Sequence, residues 1–170
     1  MRRKAIQIPG TIKAEDITVI IDTREQRELS LPKFHVEHDG LPTGDYSVRG
    51  LEDYICIERK SLQDYVSCVG RDRIRFEREL RRMMGYPVRA VVIEASWRDL
   101  MEGNWRGKIT PASAVGSYLG WCAMGIPIIL AGNRRGATRA VTGLIMSGVR
   151  GMHKKLEGFA IASELVTKRK

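Results

Sequence analysis

Cysteine is scarce: Cys56, Cys68 and Cys122 stand far apart, with no Cys-x-x-Cys pair and no Cys/His ligand spacing. That pattern excludes a disulfide framework and a zinc site of the usual kind, and it fits reduced intracellular thiols. Long apolar runs are missing as well. The longest, around Gly125 to Gly132, is far too short to cross a bilayer, so no membrane partner is expected. Met1-Arg2-Arg3-Lys4 leads into Ala5-Ile6-Gln7-Ile8-Pro9-Gly10 rather than a sustained apolar stretch, which is not the pattern of a signal peptide. No internal repeat is visible. The expectation is a soluble protein of the cytoplasm, nucleoid or nucleus. Acid is the remaining shortage: 20 Asp and Glu face 29 Lys and Arg, a net charge of +9. Such an excess is the footprint of a polyanion binder, although a solvated basic surface has the same composition.

What is present reads as one domain. A chain of 170 residues with 43% hydrophobic and 29% charged residues is large enough for a core and too apolar for extended disorder. Residues 1–16 are basic and turn-like, a peripheral segment, and 17–170 form the domain. Ile17-Thr18-Val19-Ile20-Ile21, Val88 to Glu94 and Ile126 to Leu130 are continuous apolar runs, as in strands buried on both faces. Phe34 to His38 is a shorter strand, on which His35 and His38 fall on opposite faces and make poor joint ligands. Helical patterns lie between the strands. Ser61 caps a helix from Leu62, with Asp64 in the capping-box position, and Gly70 closes it. Phe76, Leu80, Met83 and Met84 form the buried stripe of the next helix, Asp72 to Met84. Ser96 caps Trp97 to Glu102. Gly103 to Lys108 is a loop with an exposed-looking Trp105 and two cations, Arg106 and Lys108, either substrate-facing or simply surface. Thr110-Pro111 opens a helix to Met124 with Val115, Leu119 and Cys122 core-like. Two final helices are expected, Gly136 to Val149 and Gly151 to Val166. A β-meander beginning followed by alternating strands and helices makes an α/β fold with a mixed sheet flanked by helices.

The chemistry gathers on a hairpin between Gly44 and Lys60. Val48 and Tyr54-Ile55-Cys56-Ile57 are strand formers around the turn-like Gly50-Leu51-Glu52-Asp53. With a two-residue loop at Leu51-Glu52, Asp45 lies opposite Glu58, where side chains are roughly 4.5–5.5 Å apart at Cβ and like charges repel. Lys60 shares their face by the period-2 rule. Two carboxylates and an ammonium are the minimum for holding a hard divalent cation on oxygen. Asp22, Arg24 and Glu25 leave the end of a buried strand, where open α/β sheets commonly place sites. Further on, Arg71, Arg75, Arg78 and Arg82 recur on one helical stripe beside Arg73, Arg81 and Arg89, a local excess that fits a phosphate track on DNA.

Gly44-Asp45, then Glu58-Arg59-Lys60-x-x-x-Asp64, preceded by Asp22-x-Arg24-Glu25, resembles the signature of the XPF-type structure-specific endonucleases, from about Thr18 to Met84. The resemblance implies a restriction-endonuclease-like fold and metal-assisted hydrolysis of DNA phosphodiesters with Mg²⁺ or Mn²⁺. By that resemblance Asp45 and Glu58 are metal ligands, the Arg59 carbonyl adds another, and Asp22 is an acidic position near the same metal. Glu25 belongs to the same active-site motif, and Lys60 orients or activates the attacking water. Arg24, Arg59 and Asp64 are supporting positions, acting through substrate phosphate or active-site geometry. Family members continue with Asp-Gly-Arg and then Gln, whereas this chain has Gly70-Arg71-Asp72-Arg73, so Arg71 and Arg73 both stand as the matching arginine. The family also implies branched DNA and a homodimer. No helix-hairpin-helix domain is expected in 17–170, which leaves room for a separate DNA-targeting partner. The alternatives are a non-catalytic DNA-binding relative, disfavoured because Asp45, Glu58 and Lys60 are all intact, a restriction or resolvase-type nuclease with another DNA substrate, and an interaction protein for acidic partners.

Overall fold

The apolar runs assemble into one six-stranded sheet in the order β2-β1-β3-β4-β5-β6, in a computed structural model that describes residues 10–163. The strands are β1 (Thr18–Asp22), β2 (His35–Asp39), β3 (Tyr46–Val48), β4 (Ile55–Ser61), β5 (Val88–Glu94) and β6 (Ile128–Leu130). The start of the basic segment expected at 1–16 and the terminal Lys168-Arg169-Lys170 lie outside the described residues. β3 pairs antiparallel with β1 and β4, and β4, β5 and β6 run parallel, so the sheet is mixed as expected. The opening is not a meander. β2 lies parallel to β1 at the sheet edge, with every residue exposed. The intervening segment is long enough for the crossover that a parallel pair needs, and it buries Leu29, Leu31 and Phe34 on the way.

Helices cover both faces: α1 (Leu62–Val69), α2 (Arg73–Met83), α3 (Trp97–Glu102), α4 (Pro111–Ala123) and α5 (Arg134–Ala162). Strand periodicity divides the core accordingly. Cys56, Val91 and Ile93 pack with Tyr65, Phe76, Leu80, Met83 and Trp121 of α1, α2 and α4. Val19, Ile21, Tyr46, Ile57 and Val92 pack on the opposite face with Val141 and Ile145 of α5. Trp121 anchors the first cluster, edge-on to Tyr65 at 5.8 Å and Phe76 at 4.9 Å. The caps at Ser61, Ser96 and Thr110 form as the sequence predicts, each accepting a hydrogen bond from the backbone N–H three residues on.

Four further expectations change. Met84 ends α2 and is exposed, outside the stripe of Phe76, Leu80 and Met83. In α4 the inward residues are Ala114, Ser117 and Trp121, so Leu119 points to solvent while Val115 and Cys122 are half-buried. The helix packs in the phase set by its tryptophan and small residues rather than by its largest aliphatics. Trp105 is half-buried against the first cluster, not exposed. The last two helices are one, since α5 runs unbroken through Gly151. An interior glycine costs a helix about 1 kcal/mol, which burying Ile145 and Val149 upstream outweighs. Its start is fixed by Gly136, where a Cβ would fall 1.8 Å from the Ala131 carbonyl oxygen.

Candidate active site

Tyr46 pairs with Ile57, and the Asp45 N–H donates to the Ile57 carbonyl at 2.9 Å, so one further step places Asp45 across from Glu58. The predicted register holds, but not through a two-residue turn. The loop occupies residues 49–54, folded by bonds from the Leu51 N–H to Val48 and from the Tyr54 and Ile55 N–H groups to Leu51. Lengthening the loop equally on both sides leaves the pairing unchanged. Gly44 is required at the entry: its φ is +79°, and a Cβ there would lie 2.7 Å from Cys56 Sγ.

On the face carrying Asp45, Glu58 and Lys60, Glu58 is buried while Asp45 and Lys60 are half-buried at the cleft, and the charges crowd one another. Glu58 is 2% exposed; its Oε1 accepts from Lys60 Nζ, while Oε2 is buried with no hydrogen-bond partner among the described residues. Asp45 Oδ2 accepts from the Arg59 N–H at 2.7 Å. Burial, and then the charge of Asp45, push the Glu58 carboxyl well above the ordinary range. Burial likewise raises Asp45 to about 7, against the pull of Lys60 and the Arg59 N–H. Burial works against the Lys60 charge, but Glu58 and then Glu79 more than compensate, and its pKa rises. The ammonium also lies 5.5 Å from the centroid of the Phe76 ring. A buried, unsatisfied carboxylate oxygen beside a second carboxylate is what a hard cation satisfies. Asp45 and Glu58 therefore fit Mg²⁺ or Mn²⁺ as side-chain ligands. Among the described residues no three His, Cys, Asp or Glu side chains gather into a ready ligand set.

Asp22 sits at the end of β1, 2% exposed, and both its oxygens are committed. Oδ1 accepts from the Arg24 N–H and Nε at 2.8 and 2.7 Å, and Oδ2 from Arg24 Nη2 and the Leu41 N–H at 2.8 and 2.7 Å. The Arg24 side chain is the main cause holding this carboxyl down at about 2, against burial. Arg24 Nη2 also donates to the Leu41 carbonyl. The pair thus staples the strand end to the chain that enters the hairpin.

Arg59 falls between Glu58 and Lys60 in sequence, so on a strand its side chain takes the other face. There it is 6% exposed, with Nε and Nη2 on Glu94 Oε1 at 2.8 and 2.6 Å and Nη1 3.8 Å from Glu25 Oε1. Glu25 also accepts from the Arg27 N–H at 2.6 Å. Arg134, in the first turn of α5, reaches Glu94 Oε1 at 3.4 Å and donates to the carbonyls of Arg27 and Glu28. Sequence reasoning missed Glu94 and Arg134. The only signal was a carboxylate at the C-terminal end of a buried strand, where Asp22 had drawn notice for the same reason.

Ser61, Gln63 and Asp64 line the open cleft with Asp45, Arg59 and Lys60, and Arg24, Glu25, Gln26, Arg27 and Arg75 complete it. Asp64 is exposed and occupied in capping: its N–H donates to Ser61 Oγ at 3.2 Å and its Oδ2 accepts from the same hydroxyl at 2.6 Å. Of the arginine stripe, Arg75 reaches the cleft, and Arg71, Arg78 and Arg82 are exposed. Arg73 turns aside to Glu77, Ser117 and the Trp121 ring.

A family model for the ERCC4 domain matches residues 21–134, more than half the chain. Among solved structures, XPF from Aeropyrum pernix is similar with a TM-score of 0.61 at 22% identity, over 82% of this chain and 69% of that one. XPF from Aeropyrum pernix in complex with DNA gives 0.60 at 22%, over 79% and 66%. The likeness establishes the restriction-endonuclease-like fold expected from sequence. No curated protein sequence matches the chain.

Proposed function

Because the chain belongs to the ERCC4 domain family, we propose that it is a Mg²⁺- or Mn²⁺-dependent endonuclease that hydrolyses phosphodiester bonds of branched DNA, such as flaps or forks, in repair, recombination or replication. The observation that carries this reading is the Asp45–Glu58 pair, with one buried Glu58 oxygen lacking any donor among the described residues and Lys60 beside it. A cation bound there supplies Lewis-acid polarisation of a phosphate oxygen and lowers the pKa of water. The chain's own residues do the rest. Asp45 and Glu58 would hold the ion through carboxylate oxygens, and the Arg59 carbonyl would add a third oxygen. Lys60, kept charged by Glu58 and Glu79, orients water and offsets negative charge developing on the phosphate. Arg24 and Arg75 face the cleft and bind flanking phosphates, and Arg71, Arg78 and Arg82 extend that track along α2. Asp22 supports the site by holding Arg24 and the Leu41 N–H, and Glu25, which also lines the cleft, steadies Arg59.

Homodimerisation belongs to the same proposal, and the exposed Trp97, Met101 and Leu119 of α3 and α4 offer a face for it. A separate partner would supply targeting to branched DNA. Among the described residues no helix is long and apolar enough to cross a membrane. The test is cleavage of end-labelled flap, splayed-arm, bubble, four-way and linear DNA with Mg²⁺ or Mn²⁺, beside the Asp45→Ala protein. Cutting restricted to branched substrates and lost in the variant is expected. Unchanged cutting by Asp45→Ala overturns the site assignment, and uniform cutting of all five removes branch selectivity.

A further inference from the structure

The loop from Gly103 to Lys108 has no part in the site described above, yet it is built against the same cleft. It joins α3 to α4 and lies along α1. Gln63, a cleft residue in the first turn of α1, clasps it: Nε2 donates to the Arg106 carbonyl at 3.2 Å, and the Arg106 N–H donates to Gln63 Oε1 at 3.3 Å. Trp105 Nε1 donates to the Ile109 carbonyl at 3.0 Å while its ring packs on the core. Asn104 Nδ2 donates to Asp99 and Glu102 at 3.1 and 3.3 Å. Ile109 closes on the far end of α1, where a Cβ on Gly70 would lie 3.1 Å from Ile109 Cδ1. The backbone is therefore held at both ends and in the middle, which lowers the ordering cost of a contact made there.

What the loop presents is cationic. Arg106 and Lys108 are exposed, and among the described residues no acid lies within ion-pair distance of either. Between them Gly107 has φ +125° and open space where a Cβ would stand, so the backbone at the tip is open to close approach. Arg71, next to the Gly70 that Ile109 packs on, and Arg75 in the cleft add cations around α1 that share one carboxylate, Asp72, at 3.3 and 4.0 Å. The nearest acid on the exposed face of α1, Asp64, is taken up by the Ser61 hydroxyl.

We infer that the Arg106–Lys108 loop is a phosphate-binding arm that engages the DNA backbone beyond the scissile phosphate, on the α1 side of the cleft. The inference rests on the nuclease reading for the identity of the polyanion, and its test is separate from cleavage. Binding of duplex and forked DNA is measured in EDTA over a range of salt for wild type, Arg106→Gln/Lys108→Gln and Lys155→Gln. Lys155 lies on α5, where its ammonium meets the Tyr54 hydroxyl at 3.1 Å, and it serves as a control for lost surface charge. Two lost contacts on duplex should reduce the slope of log K against log salt by about 1.8 in the double variant, at about 0.9 per phosphate. The control should keep the wild-type slope. An unchanged slope in the double variant, or an equal loss in Lys155→Gln, overturns the proposal. Wild-type protein that cuts nothing while showing the loop-dependent slope would sink the nuclease reading and leave the arm standing. Normal cutting with an unchanged slope would do the reverse.

Discussion

Replacing Asp45 by Asn should stabilise the metal-free protein at neutral pH while destroying its cleavage. The Asn carbonyl still accepts the Arg59 N–H that Asp45 Oδ2 accepts at 2.7 Å, so the local hydrogen bond survives and only the charge is removed. Burial raises Asp45 from 3.8 to about 7. At about 1.4 kcal/mol per unit the full displacement corresponds to about 4 kcal/mol, and sharing the strain with Glu58 brings the expected gain to about 2–4 kcal/mol. The sign follows from proton binding. A carboxyl whose folded pKa lies above its unfolded value binds more protons when folded, so wild-type stability falls as pH rises from about 4 to about 7 and levels off above that. The advantage of Asp45→Asn should therefore be small near pH 4 and largest above pH 7. Urea unfolding in EDTA at several pH values reads this directly. Added Mg²⁺ should then restore the wild type, by about 2.7 kcal/mol at a hundredfold excess over Kd, and do much less for the variant. A variant less stable than wild type at pH 8, or a gap of equal size at pH 4 and pH 8, would refute the reasoning.

Gly44→Ala should destabilise the fold by about 1–3 kcal/mol, because it combines a positive φ with a contact on Cys56 Sγ; Cys56→Ala in the same chain should recover part of the loss in a double-mutant cycle by chemical denaturation. Glu94→Ala leaves the Arg59 guanidinium buried without its main acceptor and should cost about 3–5 kcal/mol, whereas Glu94→Gln keeps the acceptor oxygen and should cost less; equal losses would place the importance of Glu94 in its charge alone. Asp22, lowered to about 2, contributes stability above about pH 4 that disappears as pH falls through 2. Asp22→Asn should remove about 2 kcal/mol at pH 7 and flatten acid unfolding between pH 4 and pH 2, read by circular dichroism.

The carboxylate pair was legible because strand pairing and side-chain alternation obey simple counting, and the actual loop over residues 49–54 adds length equally to both arms. Caps at Ser61, Ser96 and Thr110 were legible for a similar reason, since each bond spans three residues. What escaped depends on contacts set by sheet order. Arg59 finds Glu94 only because β4 and β5 lie parallel and adjacent, and Arg134 joins them only because α5 begins beside the end of β5. The Leu41 N–H reaches Asp22 because the chain entering the hairpin passes the end of β1. The parallel placement of β2 and the continuity of α5 through Gly151 are tertiary outcomes of the same kind.

The three consecutive residues Glu58-Arg59-Lys60 join these two levels. Alternation along β4 sends Glu58 and Lys60 to the face where the cation and phosphate chemistry is proposed, and Arg59 to the face where Glu25 and Glu94 hold it and Arg134 shares Glu94. The Arg59 N–H nevertheless stays on Asp45. A single strand residue thus connects the buried ion-pair chain to the carboxylate pair through its own backbone. Disturbing Glu94 should therefore reach Asp45 without touching it, as a weaker Mn²⁺ affinity in Glu94→Gln measured calorimetrically. Unaltered Mn²⁺ affinity would show that the two faces of the sheet are energetically independent.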